Sequence, residues 1–297
     1  SSLAISHYNL GAVYSNIGRN KAAKDEFLKA LEINPKYSIA SWNLYGLATS
    51  FEEAEMWLNK CLDIDEDYID AKISICAIKL HHGEKELFNN LMKTKIKDHI
   101  LMRSIKWVTT LPEMPKLVLN KLDFYNYVIN KSVKSRTFYE FGVCRGISFK
   151  YLMNSFKKGY GFDTFKGLPE DWNNRYKKGS FSTEGIIPNI KGGTFIAGKF
   201  EDTLPEFFKQ TRPLASIINF DSDLYSSTLC ALNHCKKIID EKTILIFDDF
   251  LNNTNWEEYE YKAINDFCSL NNLKYKVIAV SYFTRQVAIR LILPSCH

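Results

Sequence analysis

The chain has 297 residues, of which 45% are hydrophobic and 25% charged, with a formal net charge of +5. That length allows about two domains of ordinary size, each able to bury a core. Seven cysteines without a paired spacing argue against a disulfide scaffold, no apolar run approaches a membrane span, and no basic run with interleaved aromatics resembles a nucleic-acid platform.

Lys and Arg balance Asp and Glu at 14 each over residues 1–110 and stand at 25 against 20 thereafter. The excess therefore lies in the second part, and an anionic small substrate is compatible with it. The expected protein is reduced and cytoplasmic, with no nucleic-acid partner and no membrane span. The chain starts Ser1-Ser2 without methionine, so a segment before it stays open.

Self-similarity organises the first hundred residues. Leu10, Gly11, Tyr14, Gly18, Ala23, Phe27, Ala30 and Pro35 fall on the spacing of the tetratricopeptide repeat, in which small residues let two helices approach and Pro35 stops the second. Residues 38–68 keep Leu44, Ala54, Leu58 and Cys61 in comparable roles with a shorter turn, as a degenerate repeat. A third helical pair is expected from about Asp70 to Lys93, with amphipathic periodicity around Ile75, Ala77, Leu87 and Leu91. Three hairpins make a minimal solenoid, suited equally to a protein partner, to self-association or to a structural role. His81-His82 falls at an inter-helix turn and is read as exposed, without function. The join is expected between Asp98 and Lys134, where Pro112 and Pro115 break a helical pattern; the domains are set at 1–110 and 111–297.

From Thr137 the period changes. TFYEF, YGFDTF, TFIAG, SIINF and TILIF are short apolar runs separated by helical or loop stretches, the pattern of a βαβ sheet. YKVIAVSY and QVAIRLIL follow as a terminal antiparallel hairpin. The expected fold is α/β, a Rossmann-like class I methyltransferase sheet of parallel strands plus that hairpin, behind an all-α tetratricopeptide-like domain; the choice of sheet rests partly on fold analogy.

Glu140, Gly142 and Gly146 are spaced ExGxxxG on the first strand-to-helix turn, where glycine permits close backbone approach and a helix beginning near Ser148 offers N–H groups to a ligand. Cys144 takes the middle-glycine position, so no pyrophosphate cradle for NAD is spelled out. Asp163 ends the next strand, where a carboxylate can accept hydrogen bonds from ribose hydroxyls. Asp221 and Asp223 follow SIINF, and Asp248 and Asp249 follow TILIF, which puts both pairs at the carboxyl ends of buried parallel strands. Carboxylates crowded there repel one another unless a hard cation is present. The alternative is that Asp248 and Asp249 cap the following helix and that Asp223 begins one. Lys166 to Thr194 is a long segment read as a lid or a mobile surface loop, with Trp172, Arg175 and Tyr176 as candidate contacts. Trp256 is a contact candidate on the opposite wall, or core. Cys230, His234 and Cys235 do not make a closed zinc site.

The motifs EFGVCRG, GFDTFKGLP, GKFEDTLP, FDSDLYSST and FDDF occur in order, and residues 137 to about 290 resemble the macrocin O-methyltransferase family. That resemblance implies an S-adenosylmethionine-dependent, metal-dependent O-methyltransferase. Glu140, Gly142 and Gly146 would line the methionine side of the cofactor, Asp163 would hold the ribose, and Phe200 with its neighbours would lie near the adenine. Asp221, Asp248 and Asp249 would be the ligands of a divalent metal, expected to be Mg²⁺. The layout is also similar to that of catechol O-methyltransferases, whose lysine base has Leu224 at its position here. Asp223 is then the candidate base, with Asp221 as the other group able to take the proton. The expected acceptor is a small-molecule or glycan hydroxyl, a sugar or glycoside by the family resemblance. The rival reading is a tetratricopeptide-type scaffold fused to an inactive methyltransferase-like domain.

Overall fold

The computed structural model of the protein describes residues 2–293. Cys296 lies outside them; the six described cysteines are free thiols. Of the described residues, 2–124 with 280–284 form one compact unit and 125–279 with 285–293 another, where the join was set near residue 110.

The first unit is helical, with α1 (Ser2–Asn16), α2 (Asn20–Ile33), α3 (Ser38–Tyr45), α4 (Phe51–Ile64), α5 (Ile69–His81), α6 (Glu86–Leu91) and α7 (Ile100–Thr109), then a two-residue strand β1 (Lys116–Leu117). Ala23, Phe27, Ala30 and Leu31 of α2 are buried on one face, and a Cβ at Gly11 of α1 would meet the Phe27 ring at 2.7 Å. The repeat glycine is thus where two helices touch. Ser50 caps α4 by accepting the Glu53 N–H at 3.2 Å, while Glu53 accepts the Thr49 N–H at 3.1 Å, a reciprocal cap of the helix start. Ala54, Leu58 and Cys61 are buried, as the degenerate repeat requires. In the third pair α6 is one short helix with no buried residue.

Residues 280–284 complete this unit. The Phe283 ring covers Gly46, where a Cβ would stand 2.1 Å away, and lies 5.5 Å from Trp42 and 5.4 Å from Tyr45, centroid to centroid. His81, read from the sequence as exposed, is half-buried with Nε2 3.2 Å from the Tyr282 hydroxyl. Burial lowers its pKa to about 4. Its turn is not a free surface because Tyr282, far along the chain, covers it.

Helix α8 (Lys121–Lys131) leads into the second unit: β2 (Thr137–Phe141), α9 (Ile147–Met153), β3 (Gly159–Asp163), β4 (Gly193–Ala197), α10 (Phe200–Phe207), β5 (Ala215–Phe220), α11 (Tyr225–Cys235), β6 (Ile244–Phe247), α12 (Glu260–Leu270), β7 (Lys274–Val280) and β8 (Val287–Ile292). The strands lie in the order β7-β8-β6-β5-β2-β3-β4. Pairing is parallel from β4 through β6, and β8 joins β6 antiparallel, the mixed sheet expected from the sequence. Every residue of β2, β5 and β6 is buried, which explains their continuous apolar runs. The strand order reverses between β2 and β5, so a crevice opens beyond their carboxyl ends.

Candidate active site

At the end of β2 the chain turns on Gly142, with φ of +90°, and a Cβ there would lie 1.8 Å from the carbonyl oxygen of Asp221. Only glycine allows both the left-handed backbone and this approach of the β5 end. Gly146, φ +73°, sits just before α9 with Pro188 and Ile190 over it. Cys144 has φ of +49° and its thiol donates to the Phe181 carbonyl at 3.4 Å. A side chain thus stands where the backbone favours glycine.

Asp163, at the end of β3, binds the turn. Its Oδ2 accepts the N–H groups of Val143 at 2.8 Å and Cys144 at 2.7 Å, and its Oδ1 accepts the Phe165 N–H at 2.7 Å. The carboxylate fixes the glycine turn with both lone pairs of Oδ2, and Oδ1 retains a further one. Glu140 is fully buried and its Oε1 accepts the Ser148 hydroxyl at 2.5 Å, so Ser148 ties α9 back to β2.

The acidic pairs stand where their strands end. The Asp221 N–H donates to the Phe141 carbonyl at 2.8 Å, and the Asp248 N–H to the Phe220 carbonyl at 3.0 Å, each extending the ladder by one residue. Asp223 is buried in a left-handed conformation, φ +61°. The Asp249 N–H donates to Glu260 Oε2 at 3.1 Å, and Glu260 is fully buried at the start of α12. Burial pushes the carboxyls of Asp223 and Glu260 well above the usual carboxylate range, and the charges of Asp249 and Asp248 add to it; Asp223 is further raised by a hydrogen bond with Asp249. These acids share one electrostatic site.

Two basic or amide groups answer it. Arg285 Nη1 donates to Asp249 Oδ1 at 3.2 Å and to Asn253 Oδ1 at 2.7 Å, and Gln286 Nε2 donates to Asp248 Oδ1 at 2.6 Å. Among the described residues no three His, Cys, Asp or Glu side chains converge as a metal-holding group. The donor set nonetheless fits a hard divalent cation in kind, since Asp221, Asp248 and Asp249 offer carboxylate oxygens only.

A cavity of about 210 Å³ opens here, and Gly142, Asp163, Phe200, Asp221, Asp223 and Asp249 all line it. Glu140, Gly146, Ser148 and Asp248 are not among its lining residues. Lys199 and Glu201 also line it. They are the neighbours of Phe200 that the GKFEDTLP motif marked with it. Glu260, Arg285 and Gln286 were missed, since Glu260 opens an ordinary helix and Arg285 and Gln286 lie in the turn just before β8.

The segment expected as a lid or mobile loop is a packed flap. The Leu168 N–H donates to the Ser180 carbonyl and the Leu168 carbonyl accepts the Gly179 N–H, both at 2.9 Å. Trp172 is buried with Leu168 and Leu224, with Tyr176 and Tyr259 against it. It is the core of the flap, while Arg175 is exposed over the Tyr176 ring. Trp256 is likewise buried, 5.0 Å from the Tyr261 ring. Both tryptophans that were contact candidates therefore pack internally.

Residues 189–286 match the profile of the family described as macrocin-O-methyltransferase (TylF), within the span that the motifs marked, and residues 4–37 match a tetratricopeptide repeat. Among solved structures the chain is similar to the O-methyltransferase NovP, at 16% identity over 57% of this chain and 78% of that one, TM-score 0.43. It is similar to the calicheamicin methyltransferase CalS11, at 18% identity over 82% and 94%, TM-score 0.45. A third is an O-methyltransferase from Bacillus cereus in complex with SAH, at 13% identity over 72% and 100%, TM-score 0.40. Likeness at that level decides nothing about substrate. No curated protein matches. The chain thus carries a tetratricopeptide-repeat match near its start and a macrocin-O-methyltransferase-type match over residues 189–286 of its second unit.

Proposed function

We propose that this chain methylates a hydroxyl of a sugar or glycoside, using S-adenosylmethionine and a divalent cation held by Asp221, Asp248 and Asp249. The observation that supports this most is one cavity lined both by the Gly142 turn with Asp163 and by Asp221, Asp223 and Asp249. A methyl donor and its acceptor must meet at such a junction.

When bound, the cofactor supplies a methyl group already activated on a sulfonium, and the cation lowers the pKa of the acceptor hydroxyl. The protein's part is alignment. Gly142 lets the turn approach the β5 end, and Asp163 fixes that turn through Oδ2 while Oδ1 keeps a lone pair for a ribose hydroxyl. Phe200 offers a flat apolar wall for the adenine. The acidic lining favours a ligand carrying positive charge. Asp223 lines the cavity with Asp221 and Asp249 and takes the hydroxyl proton as the oxygen is methylated. The packed flap forms one wall of the cavity with Leu168, Pro169 and Phe181. The helical repeats are assigned to protein contact, and their role is separate from the chemistry.

Calorimetric titration of S-adenosylmethionine, S-adenosylhomocysteine and NAD, with Mg²⁺ or chelator and repeated on Asp163→Ala, tests the reading. Both S-adenosyl ligands should bind the parent and weaken in the variant, and NAD should not bind. Absence of S-adenosyl binding under every condition sinks it and promotes the scaffold reading.

A further inference from the structure

Arg285 is unusual in three ways at once. Its backbone is left-handed, φ +67°, a conformation that residues with a side chain rarely adopt. Its guanidinium bonds Asp249 Oδ1 and Asn253 Oδ1, and its carbonyl accepts the Leu251 N–H at 3.1 Å. Backbone and side chain therefore both hold the loop that follows β6. The Arg285 side chain is also 46% exposed while that of Asp249 is 19% exposed, so the pair can open towards solvent without disturbing the core.

The charge balance around it is uneven. Asp221, Asp223, Asp248, Asp249 and Glu260 act on one another electrostatically, and Gln286, which holds Asp248, is neutral. Asn253 donates its amide to Asp249 Oδ1 at 3.0 Å while accepting from Arg285 through Oδ1. It therefore steers the guanidinium onto the same carboxylate oxygen. Glu260 takes the other side of that residue through the Asp249 N–H.

We propose that Arg285 is a resident counter-cation of the acidic site, competing with the divalent cation for Asp249 and setting how tightly that cation binds. The inference rests on the metal reading above and extends it. Arg285 is a positioning residue that holds Asp249 in a resting arrangement, and divalent cation binding displaces the guanidinium. The exposed side chain then swings into solvent.

The test is titration of Mn²⁺ into the full chain, followed by the electron-spin resonance of free Mn²⁺, with Mg²⁺ as competitor. Arg285→Gln and Arg285→Met should bind about tenfold more tightly, as expected from removing one positive charge several ångströms from a divalent ion. Arg285→Lys, which keeps the charge, should stay close to the parent. A merely structural role would move all three variants alike, and either uncharged variant that folds suffices. Equal or weaker binding by the uncharged variants overturns the proposal while the metal reading stands. No binding by parent or variants overturns both.

Discussion

Replacing Gly142 by alanine isolates the contact on which the site depends. The φ of +90° alone should cost about 1 kcal/mol, and the new Cβ would stand 1.8 Å from the Asp221 carbonyl oxygen. Backbone on both sides cannot yield as a flexible side chain would, so the strand ends must part, adding about 2–3 kcal/mol. The total of about 3–4 kcal/mol corresponds to about 10 °C in Tm for a unit of this size. Gly179 is the internal control: its φ is +85°, but a Cβ there meets nothing within 4 Å. Gly179→Ala should lose only about 1 kcal/mol, or about 3 °C. Thermal denaturation of both variants by circular dichroism, with cofactor titration alongside, decides the matter. If Gly142→Ala melts with Gly179→Ala and binds cofactor like the parent, the steric reasoning is wrong.

Asp248→Asn and Asp249→Asn should lower the methyl-transfer rate by about 100-fold or more while leaving cofactor affinity within a few-fold, checked by single-turnover kinetics and calorimetry; equal losses in both quantities would contradict the division of roles. Glu260 is held above its ordinary pKa by burial and by the four aspartates, so in chelator its contribution is complete below about pH 4.5 and declines as pH rises towards the folded-state pKa. Glu260→Gln should flatten that decline in urea melts across pH 4–9, and an unchanged slope refutes it. Asp240 is held down to about 2, first by the hydrogen bond from Arg136, whose two donors reach it at 2.7 and 2.8 Å. Its stabilisation is therefore present above about pH 4 and is lost as pH falls towards 2. Asp240→Asn should cost about 1–2 kcal/mol at pH 7 and nothing near pH 2, by denaturant melts at both values.

Much of the second unit was legible because buried parallel strands need continuous apolar runs, and TFYEF, SIINF and TILIF supply them. The acidic pairs were legible for the same reason: a carboxylate directly after such a run must stand at the ligand-binding edge. Asp163 was found, but its grip on the Val143 and Cys144 N–H groups was not, because a hydrogen bond back to a turn leaves no trace in spacing. Glu260 lies in WEEYEY, which reads as a solvated helix start, and nothing local says that one glutamate of the three is buried. Arg285 and Gln286 sit between two strand patterns where turn residues are ordinary. Trp172 was expected at a substrate surface because its segment lacks periodicity; its burial depends on Leu224 and Tyr259, which are distant in sequence. His81 was misread for the same reason, since Tyr282 supplies the cover.

The return of residues 280–284 to the helical unit bears on how the chain is made and cut. Tyr282 meets His81, Phe283 fills the place over Gly46, and the Val280 carbonyl accepts the Val118 N–H at 2.9 Å. These partners emerge from the ribosome long after α1 to α7, so the nascent helical unit waits with Trp42, Tyr45 and Gly46 uncovered until the last strands are synthesised. No single cleavage of the peptide chain separates the two units intact. A fragment ending before residue 280 would carry an open aromatic socket, and one starting after residue 124 would carry the plug.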